Sequence, residues 1–191
     1  MLDGTPRTRA ELIRMTGLAR STVGARVDAL LAAGLLTPSG EAASTGGRPP
    51  ARLAFNPDAG VVIGVDVGAT HALVALTDLR ARVLDEAALT LDVTAGPKAV
   101  LDQVARTSRA LLKSAGRSRA DLAGVGIGLP GPVEHSTGRP VLPPIMPGWD
   151  NYDVPGHVMA ALGGPVLPDH AADTLAPGGP ATRYPPVQPM P

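Results

Sequence analysis

Three groups of residues in this sequence have the types and spacing to do chemistry. In VIGVDVGATHALVALTD, from Val62 to Asp78, Asp66, Gly68 and Thr70 sit in a tight turn between two apolar runs. Such a turn can hold a phosphate on its backbone, and it can equally be a plain hairpin in which Asp66 is the turn-forming acid. In TRAELIRMTGLARSTVGARVDALLAAGLL, Arg20, Ser21, Thr22 and Arg26 gather at the start of a helical segment. Small hydroxyls there can reach base edges while the arginines and the helix dipole hold phosphates. In GGRPP, Arg48 stands on a narrow, glycine-rich backbone suited to an A·T-rich minor groove, or belongs to a simple linker. Metal chemistry lacks a comparable group. There is no cysteine, and His71, His135, His157 and His170 show no ligand spacing.

The second group needs two helices to carry it. Thr8 with Glu11 three residues on is a capping box, and Leu12, Ile13 and Met15 give the first helix an apolar side. Gly17 permits the sharp turn. The second helix is expected from about Arg20 to Ala33, with Val23, Val27, Leu30 and Leu31 facing inward and Gly34 ending it. This reads as a helix-turn-helix or as an ordinary helical hairpin. The following LLTPSGEAASTGGRPPARLAF reads as strand, glycine-rich loop, strand: a wing that favours the first reading. Residues 1–57 are therefore expected to be a winged helix-turn-helix that binds double-stranded DNA, with NPDAG as the hinge after it. Only MLDGTPR precedes Thr8, so the head looks one helix short, which would leave Leu12, Leu30 and Leu31 partly exposed. Charge agrees weakly: residues 1–60 hold seven arginines against five acids, although the net charge of the chain is zero.

From Val61 the pattern changes. VVIGVDV, HALVALTDL and VLDEAALTLDV read as a three-strand meander in a buried sheet. PKAVLDQVARTSRALLKSAG reads as a helix with Val100, Leu101, Val104, Leu111 and Leu112 inward, and LAGVGIGLPGPVE as a further strand. The order implies an α/β layer. With 44% apolar residues the chain can build a core, almost without aromatics: Phe55, Trp149, Tyr152 and Tyr184 are all of them. No run suits a membrane span or a signal peptide, so the expected location is cytoplasmic, with no membrane partner.

The order STGGRPP, then GVDVGAT, then GVGIGLPGPVEHSTGRPVLPPIMPGWD resembles the ROK family of repressors, open reading frames and kinases, from about Thr8 to Tyr184. The resemblance implies the first lobe of an actin-like, ribonuclease-H-like sugar-kinase fold over residues 61–176. Residues 177–191 would be an irregular, Pro-rich tail. In the family's kinases the first turn is Asp-x-Gly-Gly-Thr, whose acid orients Mg²⁺. Here Asp66, Gly68 and Thr70 are kept and Ala69 replaces the second Gly. GLPGPV resembles the sugar loop, giving Gly128, Pro130 and Gly131 as candidates. The kinases have an Asn before PGW, where this chain has Ile145 and Met146. Trp149 could stack on a sugar or anchor the loop. Alongside the family's acid-Asn-Asp motif, Asp169 matches the first acid, His170 the Asn and Ala171 the catalytic Asp, with Asp173 two residues on. Pro177, Gly178, Gly179 and Pro180 would break the next helix.

These departures imply no catalysis. With no cysteine for the family's zinc loop and no second lobe, neither ATP/Mg²⁺ nor zinc is expected as a cofactor. A first lobe alone would leave an apolar face uncovered, which favours a homo-oligomer. The reading is a DNA-binding transcriptional regulator, a repressor answering to a sugar or sugar phosphate. The alternatives are an ATP-dependent sugar kinase and an inactive fragment.

Overall fold

The computed structural model describes residues 1–41 and 50–170, with side chains as far as Leu167. Arg48, Ala171, Asp173 and the Pro-rich tail lie outside the described residues.

The head follows from its caps. β1 (Arg7–Thr8) runs into α1 (Arg9–Thr16), whose N-cap Thr8 and Glu11 form the expected reciprocal capping box. Gly17 ends α1 at φ +68°, and α2 (Arg20–Ala32) follows. β2 (Leu36–Glu41) and β3 (Ala51–Phe55) pair antiparallel. β1 adds to the other side of β3, so the sheet order is β1-β3-β2 with the two helices inserted between its first two strands. Val23, Val27, Leu36 and Leu53 form the core, and Leu12, Ile13 and Leu31 pack on it half-buried. Leu30 does not face inward as the periodicity predicts. It is 40% exposed, and Met15 is 62% exposed. The small sheet reaches only the Val23 and Val27 side of α2.

Asn56 to Gly60, read as a hinge, forms a 3₁₀ turn over Pro57–Ala59 held from both sides. The body then opens with the predicted meander: β4 (Val61–Val67), β5 (His71–Asp78) and β6 (Val83–Thr90), all antiparallel. α3 (Pro97–Ser114) crosses to β7 (Leu122–Leu129), which pairs parallel with β4. A hairpin of β8 (Val133–Glu134) and β9 (Arg139–Pro140), then α4 (Val154–Leu162), lead to β10 (Val166–His170), parallel to β7. The sheet order is β10-β7-β4-β5-β6.

Both crossovers step the same way along the sheet, so right-handedness puts α3 and α4 on one face. There they bury Val61, Ile63, Val65, Val67, Val74, Leu76, Val125 and Ile127. The five inward residues expected on α3 are all buried. The sheet is thus buried on one face, not two. Alternate residues of β4 (Val62, Gly64 and Asp66) are half-exposed on the other.

Candidate functional site

In the head, the two helix starts are built differently. The first backbone N–H groups of α1 are served by Thr8, and Glu11 lies in its first turn. α2 begins after Ala19 with no side-chain cap and no acid in its first turn. Among the described residues no side chain accepts from its first N–H groups, which form the positive end of the helix dipole. Arg20, Ser21 and Arg26 around this end are exposed, and Thr22 is half-buried. Among the described residues no hydrogen bond or ion pair holds Arg20 or Arg26. Arg9, by contrast, is spent on Asp28 at 2.6 Å, and Arg7 on Asp3. The structure thus places Arg20, Ser21, Thr22 and Arg26 in the first two turns of α2. Arg48 lies outside the described residues; the last flanking pair is Glu41 with Ala51.

In the body, register aligns the carboxyl ends of three parallel strands. Asp66 of β4 stands opposite Gly128 of β7, which stands opposite Asp169 of β10, with His170 opposite Leu129. Ligands in α/β sheets sit at this edge. The turn beside it is closed: the N–H of Gly68 donates to the His71 carbonyl at 2.8 Å. The carbonyls of Ala69 and Thr70 accept from Val93 and Leu91. A Cβ on Gly68 would come within 2.8 Å of the exposed His71 ring, which would have to swing aside. The Gly68 N–H is thus engaged within the hairpin, and Ala69 carries a methyl beside it.

Pro130 and Gly131 follow β7. A Cβ on Gly131 would meet Pro143 at 2.9 Å and the Met146 sulfur at 3.1 Å. Met146 is therefore a core residue folded back on the Pro130–Pro132 loop, 1% exposed. Trp149 is fully buried and donates its indole N–H to the Val93 carbonyl at 3.0 Å. It anchors the loop and cannot stack on a sugar. Ile145 is exposed.

Sequence reasoning left one feature unplaced, the uncovered face, and missed a second. The open face of the sheet forms a groove of about 990 Å³, lined by Val62, Gly64, Leu73, Gly126 and Leu167, with Asp66 and His135–Gly138 as its polar rim. The second is a relay between α4 and α3. Tyr152 Oη lies 2.9 Å from His157 Nδ1, His157 Nε2 lies 3.0 Å from Asp102, and Asp102 holds Lys98 at 2.7 Å. The Lys98 ammonium, then the His157 ring, keep the Asp102 carboxyl below its usual range. Lys98 and Asp102 at i, i+4 were legible as a pair, but their link to His157 across the fold was not. Among the described residues no three His, Cys, Asp or Glu side chains gather as a metal site. No described helix is long and apolar enough to cross a membrane.

The chain is similar to proteins of two kinds. It is 30% identical over 178 residues to the xylose repressor of Bacillus spizizenii, covering 93% of this chain and 46% of that one. It is 34% identical over 174 residues to a transcriptional regulator of Mycobacterium bovis, covering 90% and 38%. The chain thus spans less than half the length of these relatives. Its fold matches the crystal structure of a ROK family transcriptional regulator, homologous to the E. coli MLC protein, with a TM-score of 0.69. That match has 19% identity and takes in 86% of this chain and 41% of that one. The ROK hexokinase of Thermus thermophilus matches at 0.50 with 24% identity, over 58% of this chain and 35% of that one. The profile of the ROK family itself covers residues 62–179. With the profile spanning most of the body, on a sheet whose register lines up Asp66, Gly128 and Asp169, the chain belongs to the ROK family.

Proposed function

We propose that the chain carries the DNA-binding head and first lobe of a sugar-responsive transcriptional regulator, acting as a repressor on double-stranded DNA. One observation carries the reading: the regulators match head and body together, whereas the hexokinase match takes in 58% of the chain, about the share of the body alone. The two helices inserted in the β1-β3-β2 sheet support a winged helix. α2 would enter the major groove, where Ser21 and Thr22 read base edges. Arg20, Arg26 and the bare N–H end of the helix hold phosphates. Arg48, between β2 and β3, would enter the minor groove.

The lobe serves as sensor, not catalyst. The spent N–H of Gly68, the methyl of Ala69 and the alanine at position 171 all oppose phosphoryl transfer. The effector is a sugar or sugar phosphate at the edge formed by Asp66, Gly128, Pro130, Gly131 and His170. Xylose is the first to try, since relatives are xylose repressors. The protein would work in the cytoplasm as a homo-oligomer.

The test is a salt titration of binding to DNA from around its own gene, against a scrambled duplex. A specific complex that outlasts the non-specific one as salt rises supports the reading. Equal affinity for both duplexes at every salt concentration would refute it.

A further inference from the structure

The junction between head and body is gripped from both sides. On the head side, the N–H of Asn56 donates to the Leu35 carbonyl at 3.0 Å, and its side-chain amide donates to the Gly34 carbonyl at 2.9 Å. Asn56 is thereby tied to the residues that end α2. On the body side, the turn between β5 and β6 lies against the same stretch. The N–H of Leu79 donates to the Pro57 carbonyl at 3.1 Å, and the Arg80 guanidinium stands 5.6 Å from the centre of the Phe55 ring. Arg117, after α3, donates to the Asp58 carbonyl at 3.1 Å.

The β5–β6 turn is itself stiff. Buried Asp78 accepts the N–H groups of Arg80 and Arg82 and the Arg82 guanidinium. This holds Ala81 at φ +61°, in the left-handed region. The same two strands run from this junction to the ligand edge. β4 and β5 pair without a register break from Val61↔Asp78 at the junction to Val67↔Ala72 beside the Gly68–His71 turn. The ladder spans roughly 20 Å at about 3.4 Å per residue.

We propose that residues 55–60 are a clamp and that the β4–β5 hairpin is a rigid lever. A displacement of the Asp66–His71 turn at one end is delivered through Arg80 and Asn56 to the helix-turn-helix unit at the other. The meaning of the two ends, effector and operator, rests on the function proposed above; the mechanical link does not. Packed interfaces with discrete arrangements let a small change at one end act at a distance, and because β4 and β5 are flanked by β7 and β6 the hairpin carries those strands with it.

The chain contains no cysteine, so nitroxide labels can be placed on the full chain at two chosen sites alone. Ala32→Cys on α2 and Ala110→Cys on α3 are both exposed positions. Pulsed EPR on this pair should give one narrow distance distribution. Adding Asn56→Ala and Arg80→Ala should widen it at least twofold; Arg80→Gln, at an exposed side chain, should widen it less and serves if the double variant does not fold. Gly68→Pro, which removes the N–H that closes the turn on the His71 carbonyl, should move the mean distance in the clamped protein and leave it unmoved in the unclamped one. A broad distribution in the labelled parent, or the same Gly68→Pro shift with and without the clamp, would overturn the proposal. DNA binding separates the two readings. Specific binding with a broad distribution overturns the clamp alone; a narrow distribution without specific binding overturns the regulator alone.

Discussion

Gly131 and Met146 meet so closely that the glycine cannot gain a methyl without moving the sulfur or the Pro143 ring. Gly131→Ala should cost about 1–3 kcal/mol in urea unfolding, as overpacking does. The cost should fall in a Met146→Ala background, where the sulfur is gone. Equal costs in both backgrounds would place the strain elsewhere. On the head, Ser21→Ala or Thr22→Ala should shift site preference by about 1–3 kcal/mol at one base pair, measured across single-base operator variants. Arg20→Ala should weaken all sequences alike and lower the salt slope by about one. The sequence marks these residues by type and place, hydroxyls and arginines in the first two turns of a second helix. Met146 and Trp149 were harder to read. The sequence marks both as unusual beside PGW, but only the packing against Gly131 and Val93 decides that they are core.

Helix α1 rests on its cap more than on its packing, since none of its residues is fully buried. Thr8→Ala removes the acceptor for Glu11 and the hydroxyl that donates back, and should destabilise the protein by about 1 kcal/mol in chemical denaturation. An unchanged midpoint would mean that β1 alone holds the entry to the helix. The capping box was readable from Thr8 and Glu11, and the α3 face from its spacing. β1 was not, because two residues have no period and acquire strand geometry only from Leu53 and Arg52 opposite them. An uncovered face was expected, but its place on the Val62, Gly64 and Asp66 side of β4 was not, for a related reason. Valine-rich runs such as VVIGVDV look alike whether one face is covered or two, and the half-exposed Gly64 and Asp66 were the only signal.

Taken whole, the protein is pinned by carboxylates that accept hydrogen bonds. The N–H of Thr8 keeps Glu11 low, the Thr94 hydroxyl Asp92, and the N–H of Ser118 Asp121. For Asp78, burial pushes the carboxyl up, but the Arg82 and Arg80 N–H groups and the Arg82 guanidinium outweigh it. Lys98 does the same for Asp102. Each group takes up a proton less readily folded than unfolded. Their stabilisation is present above the unfolded values of about 4 and is lost as the pH falls through the lower folded ones. Melting temperatures should be level from pH 7 to 5 and drop below about 4. Asp78→Asn should lower the plateau and shallow the drop; a drop of the same depth would remove Asp78 from the set.

The sheet order β10-β7-β4-β5-β6 also sets a schedule for synthesis. β4, β5 and β6 are neighbours in sequence as well as in space, so the meander can close as soon as it leaves the ribosome. β7 must wait for α3 before it can dock beside β4, and β10 for α4 before it can dock beside β7. Until then the β4 edge is an unpaired strand rich in valine, open to another nascent chain. Slow translation through α3 would lengthen that exposure, and a chaperone that shields strand edges would act in this interval.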